Sequence, residues 1–311
     1  MINRRPALGA RSADREWGPE MSRSNGLRPY IHGKEEPGGD AVTRVLHNVL
    51  PVASQSALRD YGFQGINDSV CALLAVPLSM SSPSLLLRFL QLGSSRKLEG
   101  YGPRGSRHKL HLFESSDAAD PSTLLVFVHG GAWGSGRPWM YRLVADGIAQ
   151  SMGAKHFCVC EYPVYPTASI VEQRDAILAA LKHLRQSQSS NSNSSSRRIV
   201  LCGHSSGANI SALALLEHVR TQAAEGGSQM LADAFVSLSG VFDIAKHYNW
   251  EKSRGVHIIS PMGAAAGEPS RYHEVSPTLI ADQGHEPLSP LFPATLVLHG
   301  ADDATVPVTS S

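Results

Sequence analysis

Segments typical of strands and of helices alternate from Lys97 onward, and this alternation restricts the fold more than any other feature of the sequence. The stretch STLLVFVHG (122–130) is a continuous apolar run that ends in glycine, as is typical of a strand buried on both faces. WMYRLVADGIAQSMG (139–153) has apolar residues at helical spacing and ends in glycine. The same reasoning predicts further strands in KLHLFES, HFCVCEYPVYP, RRIVLCGHS, AFVSLSG and ATLVLHG, and further helices in SIVEQRDAILAALKHLRQ and SGANISALALLEHVR. Strands separated by helices predict an α/β fold with a mostly parallel sheet covered on both sides.

Composition excludes several function classes. The net charge of +1 over 311 residues gives no reason to expect a nucleic-acid partner. The four cysteines form neither a zinc-binding spacing nor the framework of a disulfide-rich secreted domain. We therefore expect buried free thiols in a reducing compartment. The cysteines are Cys71, Cys158, Cys160 and Cys202.

The chain divides by composition into three parts. Residues 1–45 are polar and rich in glycine and proline, which predicts a disordered arm, and they lack the apolar core of a secretory signal. Residues 46–95 form an apolar segment predicted to be helical, and residues 96–311 form the α/β domain.

Val70–Leu92 is the most ambiguous stretch of the apolar segment. It is long enough to span a bilayer, but Pro77, Pro83 and Arg88 interrupt it. We therefore favour two short helices that pack on the domain or lie at a membrane interface.

LCGHSSGANI (201–210) places Ser205 between Gly203 and Gly207, where a predicted strand meets a predicted helix. This is the setting of a nucleophile elbow, a turn so sharp that glycines must flank the serine. The following helix would present free N–H groups to an anion formed at the serine oxygen. The alternative is an ordinary strand-to-helix turn that happens to contain serines.

VFVHGGAWGSG (126–136) provides a candidate oxyanion hole, since a glycine turn at the end of a buried strand lets N–H groups face a ligand. Gly130, Gly131 and Ala132 form this turn, and the N–H of Ser206 would complete the hole. The alternative is a glycine-rich turn with no ligand, and His129 has the position of a residue that braces the loop.

ATLVLHGADDATVP (294–307) places two acids after a predicted strand, at the edge of the sheet where active sites form. Asp303 is the candidate acid of a catalytic triad, and Asp302 fits a solvated loop residue better. The order Ser–Asp–His then requires a histidine after Asp303, and the remaining residues contain none.

HGGAWGSG, GHSSGAN and HGADDATVP, in this order, resemble the α/β-hydrolase superfamily in its esterase and formamidase branch, over residues 101–307. Two further stretches, LSGVFDIAKHYNWEKSRGVHIISPM and RYHEVSPT, resemble the cap region of isoprenylcysteine α-carbonyl methylesterases. The resemblance implies Ser205 as nucleophile, Asp303 as acid and Gly130–Ala132 as the oxyanion turn, without any metal or organic cofactor. It implies hydrolysis of a carboxylic ester, most specifically the methyl ester of a prenylated cysteine.

The resemblance also implies the substrate, the cellular location and the alternative functions. The expected substrate is a small-molecule or prenylated-peptide ester, and the expected location is the endomembrane system (ER or Golgi) or the cytoplasm. Kynurenine formamidases share a similar HGG-x-W turn, and a non-catalytic binding protein could use the same fold. The histidine of the family has no counterpart, so we expect either a fragment or a degenerate homologue, and an inactive chain as given.

Overall fold

The computed structural model of the chain describes residues 64–65, 69, 82–103, 105–116, 118–189, 197–282 and 290–311. The arm predicted for residues 1–45 lies outside these ranges, as do Cys71 and most of the segment 46–81. The helices and strands, in chain order, are α1 (Pro83–Ser95), β1 (Lys97–Gly100), β2 (Lys109–Glu114), β3 (Asp120–Val128), α2 (Pro138–Ser151), β4 (Ala154–Glu161), α3 (Ile170–Ser189), β5 (Arg198–His204), α4 (Ser206–Glu225), β6 (Ala234–Leu238), α5 (Ile244–Ser253), α6 (Met262–Ala266), α7 (Pro277–Asp282) and β7 (Ala294–Leu298). Short 3₁₀ helices occupy Val256–Ile258, Pro269–Val275 and Val308–Ser310.

The strands form one seven-stranded sheet in the order β1-β2-β4-β3-β5-β6-β7. β1, β2 and β4 pair antiparallel, and the pairings from β4 through β3, β5 and β6 to β7 are parallel. The prediction of a mostly parallel α/β sheet is therefore confirmed. Every strand and helix predicted from Lys97 onward has its counterpart in the structure, whereas β1, α5, α6 and α7 were not predicted.

The continuous apolar run of β3 places apolar side chains on both faces of the sheet, because successive side chains of a strand point in opposite directions. Val126 and Val128 pack in one core with α3 and α4, and Leu125 and Phe127 pack in a second core with α2. All four are fully buried, and each contributes roughly 1.5–3 kcal/mol relative to an exposed position. The double covering holds β3 and β5 rigidly at the centre of the sheet.

The cysteines in the described part of the chain agree with the expectation of buried thiols. Cys158, Cys160 and Cys202 are free and fully buried in the strands β4 and β5. Burial raises the pKa of the Cys202 thiol to about 12, so this group stays protonated and unreactive near neutral pH.

Helix α1 packs on the domain through one face only. Its Leu92 is buried in the core on the α2 side, and the Arg88 guanidinium donates two hydrogen bonds, of 2.6 and 2.7 Å, to the Asp146 carboxylate. Its opposite face exposes Leu87 and Leu90. Among the residues that the structure describes, no helix is both long enough and apolar enough to cross a membrane.

The carboxyl ends of the parallel strands meet at one edge of the sheet. β3 runs into Gly130, β5 into Ser205, β6 into Ser239 and β7 into the loop that carries Asp303. In open α/β sheets this edge is where ligands bind. The topology therefore brings together Gly130 and Asp303, which lie 173 residues apart in the chain.

Candidate active site

Ser205 occupies the strained turn that the sequence predicted. Its backbone has φ 53° and ψ −122°, a region that residues other than glycine rarely adopt. The surrounding structure stabilises this strained backbone conformation, because the Ser205 N–H donates a 2.8 Å hydrogen bond to the Leu238 carbonyl of β6. The turn at Ser205 thus has the backbone geometry of a nucleophile elbow.

The flanking glycine Gly207 is required by its neighbours. A Cβ atom there would lie 2.3 Å from the Val128 carbonyl oxygen and 2.4 Å from that of His129. Gly203 is similarly enclosed, since a Cβ would lie 2.5 Å from the Ala208 Cα. The expectation that both glycines avoid side-chain clashes is confirmed.

Ser206 is the first residue of α4, so its N–H has no acceptor within the helix. The N–H groups of Ala208 and Asn209 already donate to the Ser205 carbonyl, at 3.0 and 3.3 Å. Ser206 therefore offers its N–H to an anion at the start of the helix, where the helix dipole also favours negative charge.

The turn after β3 approaches the elbow closely. A Cβ on Gly130 would lie 2.8 Å from the His204 carbonyl oxygen and 3.0 Å from the Ser205 Cβ. Ala132 and Trp133, which follow, have φ values of 50° and 60°. Two successive non-glycine residues in the left-handed region are unusual and occur where the surroundings enforce them.

Side chains from two helices enforce this turn. The Trp133 indole N–H donates to Asn209 Oδ1 of α4 at 3.2 Å, and Gln173 Nε2 of α3 donates to the Trp133 carbonyl at 2.9 Å. Trp133 is 1% exposed, so both bonds are protected from water. The turn that would supply the oxyanion N–H groups is thus tied to the helix that follows Ser205.

Asp303 lies in the loop after β7, and its Oδ1 accepts the N–H groups of Thr305 and Val306, both at 2.9 Å. Partial burial raises the pKa of this carboxyl, but the hydrogen bonds from Val306, Thr305 and Ser239 outweigh it and hold the pKa below its ordinary value. Asp303 is therefore ionised at neutral pH and fixed in orientation. Asp302 beside it is exposed, as the sequence predicted.

Two nearby histidines brace loops. The Nδ1 of His129 lies 3.0 Å from the Gly130 carbonyl, and burial lowers the pKa of His129 to about 4, so its ring is neutral. His299 lies 3.7 Å from Asp303, but its two ring nitrogens contact Ser311 Oγ at 2.7 Å and the Val306 carbonyl at 2.8 Å. Both rings are engaged by their own loops.

A cavity of about 270 Å³ opens at this edge of the sheet beside Ser205. Its lining consists of Gly131, Ala132, Trp133, Ser135, Tyr141, His204, Ser205, Val241, His247, Glu251, Thr305 and Val306. Gly130 and Ser206 are sequence neighbours of lining residues. Asp303 accepts a hydrogen bond from the N–H of Val306, which is itself a lining residue. A larger cavity of about 760 Å³ lies among α1, β1 and the amino ends of β3 and β4, and its lining includes none of the predicted site residues.

Sequence reasoning missed three of the cavity residues that bear polar groups. His204 lines the same cavity as Ser205, and burial lowers its pKa although Asp303 opposes this. His247 and Glu251 come from α5. Their spacing of four residues on one helix was the only signal in the sequence that could have paired them.

The fold, the strained serine turn and the opposing glycine turn define a chain of the α/β-hydrolase class. Residues 110–311 match the family model BD-FAE, and the chain belongs to this family. The resemblance to α/β-hydrolases that the motifs predicted is confirmed.

Solved structures show the same fold at low sequence identity. Esterase B from Lactobacillus rhamnosus superposes with a TM-score of 0.52 and 14% identity, covering 76% of this chain and 78% of that one. Carboxyl esterase 2 from the fungus Tuber melanosporum gives 0.51 and 19%, covering 65% of each chain. A hormone-sensitive lipase from a metagenome library gives 0.51 and 18%, covering 78% and 81%.

Curated relatives include probable isoprenylcysteine α-carbonyl methylesterases of plants. One from Arabidopsis thaliana is 26% identical over 216 residues, which cover 66% of this chain and 43% of the relative. One from Oryza sativa subsp. japonica is 26% identical over 211 residues, covering 66% and 49%. This chain thus spans about half the length of these relatives.

Proposed function

We propose that this chain is a serine hydrolase that cleaves carboxylic esters through Ser205. The observation that carries the proposal is the position of Ser205 in a strained elbow, close to the Gly130–Ala132 turn and lining the same cavity as Gly131 and Ala132. Ser205 Oγ attacks the ester carbonyl, and the N–H groups of Gly131, Ala132 and Ser206 bind the oxyanion. The alcohol leaves with a proton, and water then attacks the acyl-enzyme, releasing the acid and restoring the serine.

The proton of the Ser205 hydroxyl needs a base. The family pattern assigns this role to a histidine oriented by the acid, Asp303, and no histidine follows Asp303 in the 311 residues. Loss of a triad member costs on the order of a million-fold in turnover, so we expect slow hydrolysis by this chain alone. Added imidazole should raise the rate because it can take the proton from Ser205.

A fluorophosphonate probe, with imidazole present, tests the nucleophile. We expect one labelled residue, Ser205, identified by peptide mass spectrometry, and no labelling of Ser205→Ala. The variant Ser206→Ala is the matched control, since it keeps the N–H group and should still be labelled. Labelling that persists in Ser205→Ala would overturn the assignment, and labelling on Ser206 would mean that the register of the elbow is different.

As substrate, we propose the methyl ester of a prenylated cysteine over the formamide N-formylkynurenine. The plant relatives named above support this choice. The cavity beside Ser205 is smaller than the usual 300–1,000 Å³ of drug-sized sites, so it would hold the cysteinyl methyl ester and leave a prenyl chain outside. Comparing the hydrolysis rates of the two substrates in imidazole tests the proposal, and faster cleavage of the formamide would contradict it.

We also propose that α1 contributes to association with a membrane surface, as expected for Val70–Leu92. Leu87 and Leu90 are 58% and 57% exposed on a helix that is anchored to the domain by its other face. Burying such leucines in the acyl boundary of a bilayer is favourable. Flotation with lipid vesicles should therefore weaken when Leu87 and Leu90 are both replaced by glutamine. Unchanged flotation would contradict the assignment of this surface.

A further inference from the structure

Helix α5 places a buried acid and a buried histidine in the wall of the cavity beside Ser205. His247 and Glu251 are 5% and 8% exposed, and both line the cavity. Their Nε2 and Oε1 atoms lie 3.5 Å apart, one helical turn along α5. The pair has no role in the acyl transfer derived above.

The hydrogen-bonding capacity of the pair is only partly used. Glu251 Oε1 accepts a 2.8 Å hydrogen bond from Ser260 Oγ, which fixes the carboxylate. Glu251 Oε2 and His247 Nδ1 are buried and have no hydrogen-bond partner in the described structure. Buried polar groups are nearly always paired, and an unpaired one is costly to the fold. Such a pair is therefore expected where a ligand completes the hydrogen bonds.

The charge around the cavity selects the kind of ligand. Glu251 is the only acidic residue in the lining, and the lining residues of the described structure include no lysine or arginine. A carboxylate with a free oxygen accepts hydrogen bonds and attracts positive charge, and it repels an anion. The complementary group is a protonated amine.

We propose that Glu251, supported by His247, forms a subsite that recognises a protonated amine on the ester substrate. The substrate class is therefore esters of amino acids with a free ammonium group, in preference to plain alkyl esters and to esters that carry a second carboxylate. This proposal rests on the proposed ester hydrolysis at Ser205, but the subsite is a binding property and can be measured without turnover.

Two amides of nearly the same shape test the subsite. L-alaninamide carries an ammonium group that propionamide lacks, and neither is an ester. We expect L-alaninamide to bind the full chain roughly tenfold to a hundredfold more tightly than propionamide, as for a charged hydrogen bond formed away from water. Affinities can be measured by ligand-observed NMR titration.

Glu251→Gln should abolish this preference, because glutamine keeps an acceptor for Ser260 and loses the charge. Glu268→Gln, an exposed acid of the same region, is the matched control and should keep the preference. Equal binding of the two amides to the unmodified chain would overturn the proposal, as would a preference that survives Glu251→Gln. Failure of the proposed hydrolysis would instead appear as missing fluorophosphonate labelling at Ser205, which these titrations do not depend on.

Discussion

Two helical glycines, Gly207 of α4 and Gly147 of α2, should respond in opposite directions to replacement by alanine. In a helix interior, alanine is favoured over glycine by about 0.8–1.0 kcal/mol, and this applies to Gly147; Gly207 is only the second residue of α4, so we expect little of this gain there. At Gly147 nothing lies within 4 Å of the new Cβ, and the gain should be realised. At Gly207 the Cβ meets the Val128 and His129 carbonyl oxygens at 2.3 and 2.4 Å.

The clash at Gly207 cannot be relieved by a side-chain rotation, because both contacts are with backbone atoms. Ordinary contact begins near 3.4 Å, so β3 and α4 must separate by about 1 Å. Overpacking of this kind costs roughly 1–3 kcal/mol and sometimes more. We therefore expect Gly207→Ala to lower the free energy of unfolding by about 1–3 kcal/mol, and Gly147→Ala to raise it by up to about 1 kcal/mol.

Urea unfolding followed by circular dichroism measures both variants against the unmodified chain. The same displacement at Gly207 would widen the gap between the elbow and the Gly130 turn, so fluorophosphonate labelling should fall at least tenfold in Gly207→Ala only, because small misplacements are costly in catalysis. If Gly207→Ala proves as stable as Gly147→Ala, the close packing of the elbow against β3 is refuted.

Three further predictions concern pH and solubility. The lowered pKa of Asp303 stabilises the fold above the pKa of the unfolded chain, so the stability lost in Asp303→Asn should shrink as the pH falls from 7 to 3 in urea titrations. Because the pKa of His129 is about 4 and that of an unfolded histidine about 6.5, the unfolded chain binds more protons between these values. The free energy of unfolding should therefore fall by on the order of 3 kcal/mol as the pH is lowered from 6.5 to 4, and a His129→Gln variant should lack this component. Val297 of the edge strand β7 is 48% exposed, so Val297→Lys should increase the soluble fraction in sedimentation assays, whereas unchanged sedimentation would show that this edge does not drive association.

The roles of the two histidines that border the cavity can be separated by the same probes. His247 is proposed to support amine binding, so His247→Gln should weaken L-alaninamide binding and leave imidazole-assisted labelling of Ser205 in place. If labelling without imidazole depended on His247 or on His204, that residue would be acting as the base. The comparison with Glu251→Gln distinguishes these roles because only the subsite needs the carboxylate.

The elements of the fold could be predicted because their signals are local. The five apolar residues Leu124–Val128 of β3 alternate between the two cores, and the amphipathic spacing of α3 predicts a helix independently of the rest of the chain. The sequence signal for the elbow was equally local. Gly203, Ser205 and Gly207 predict the backbone geometry of the turn, and the structure confirms it at Ser205. The order of the turns along the chain was sufficient to place them at one edge of a parallel sheet.

Only the tertiary structure decided which side chains share the cavity. Ala132 and Trp133 adopt left-handed φ values because Asn209 and Gln173, from two helices, hold the turn, and nothing in residues 129–136 required this. Glu251 reaches the cavity of Ser205 because α5 crosses the sheet edge after β6. A sequence specifies periodicity and turn geometry over a few residues, whereas the sharing of a cavity depends on the distances between elements that are remote in the chain. Those distances are set by the packing of the whole core.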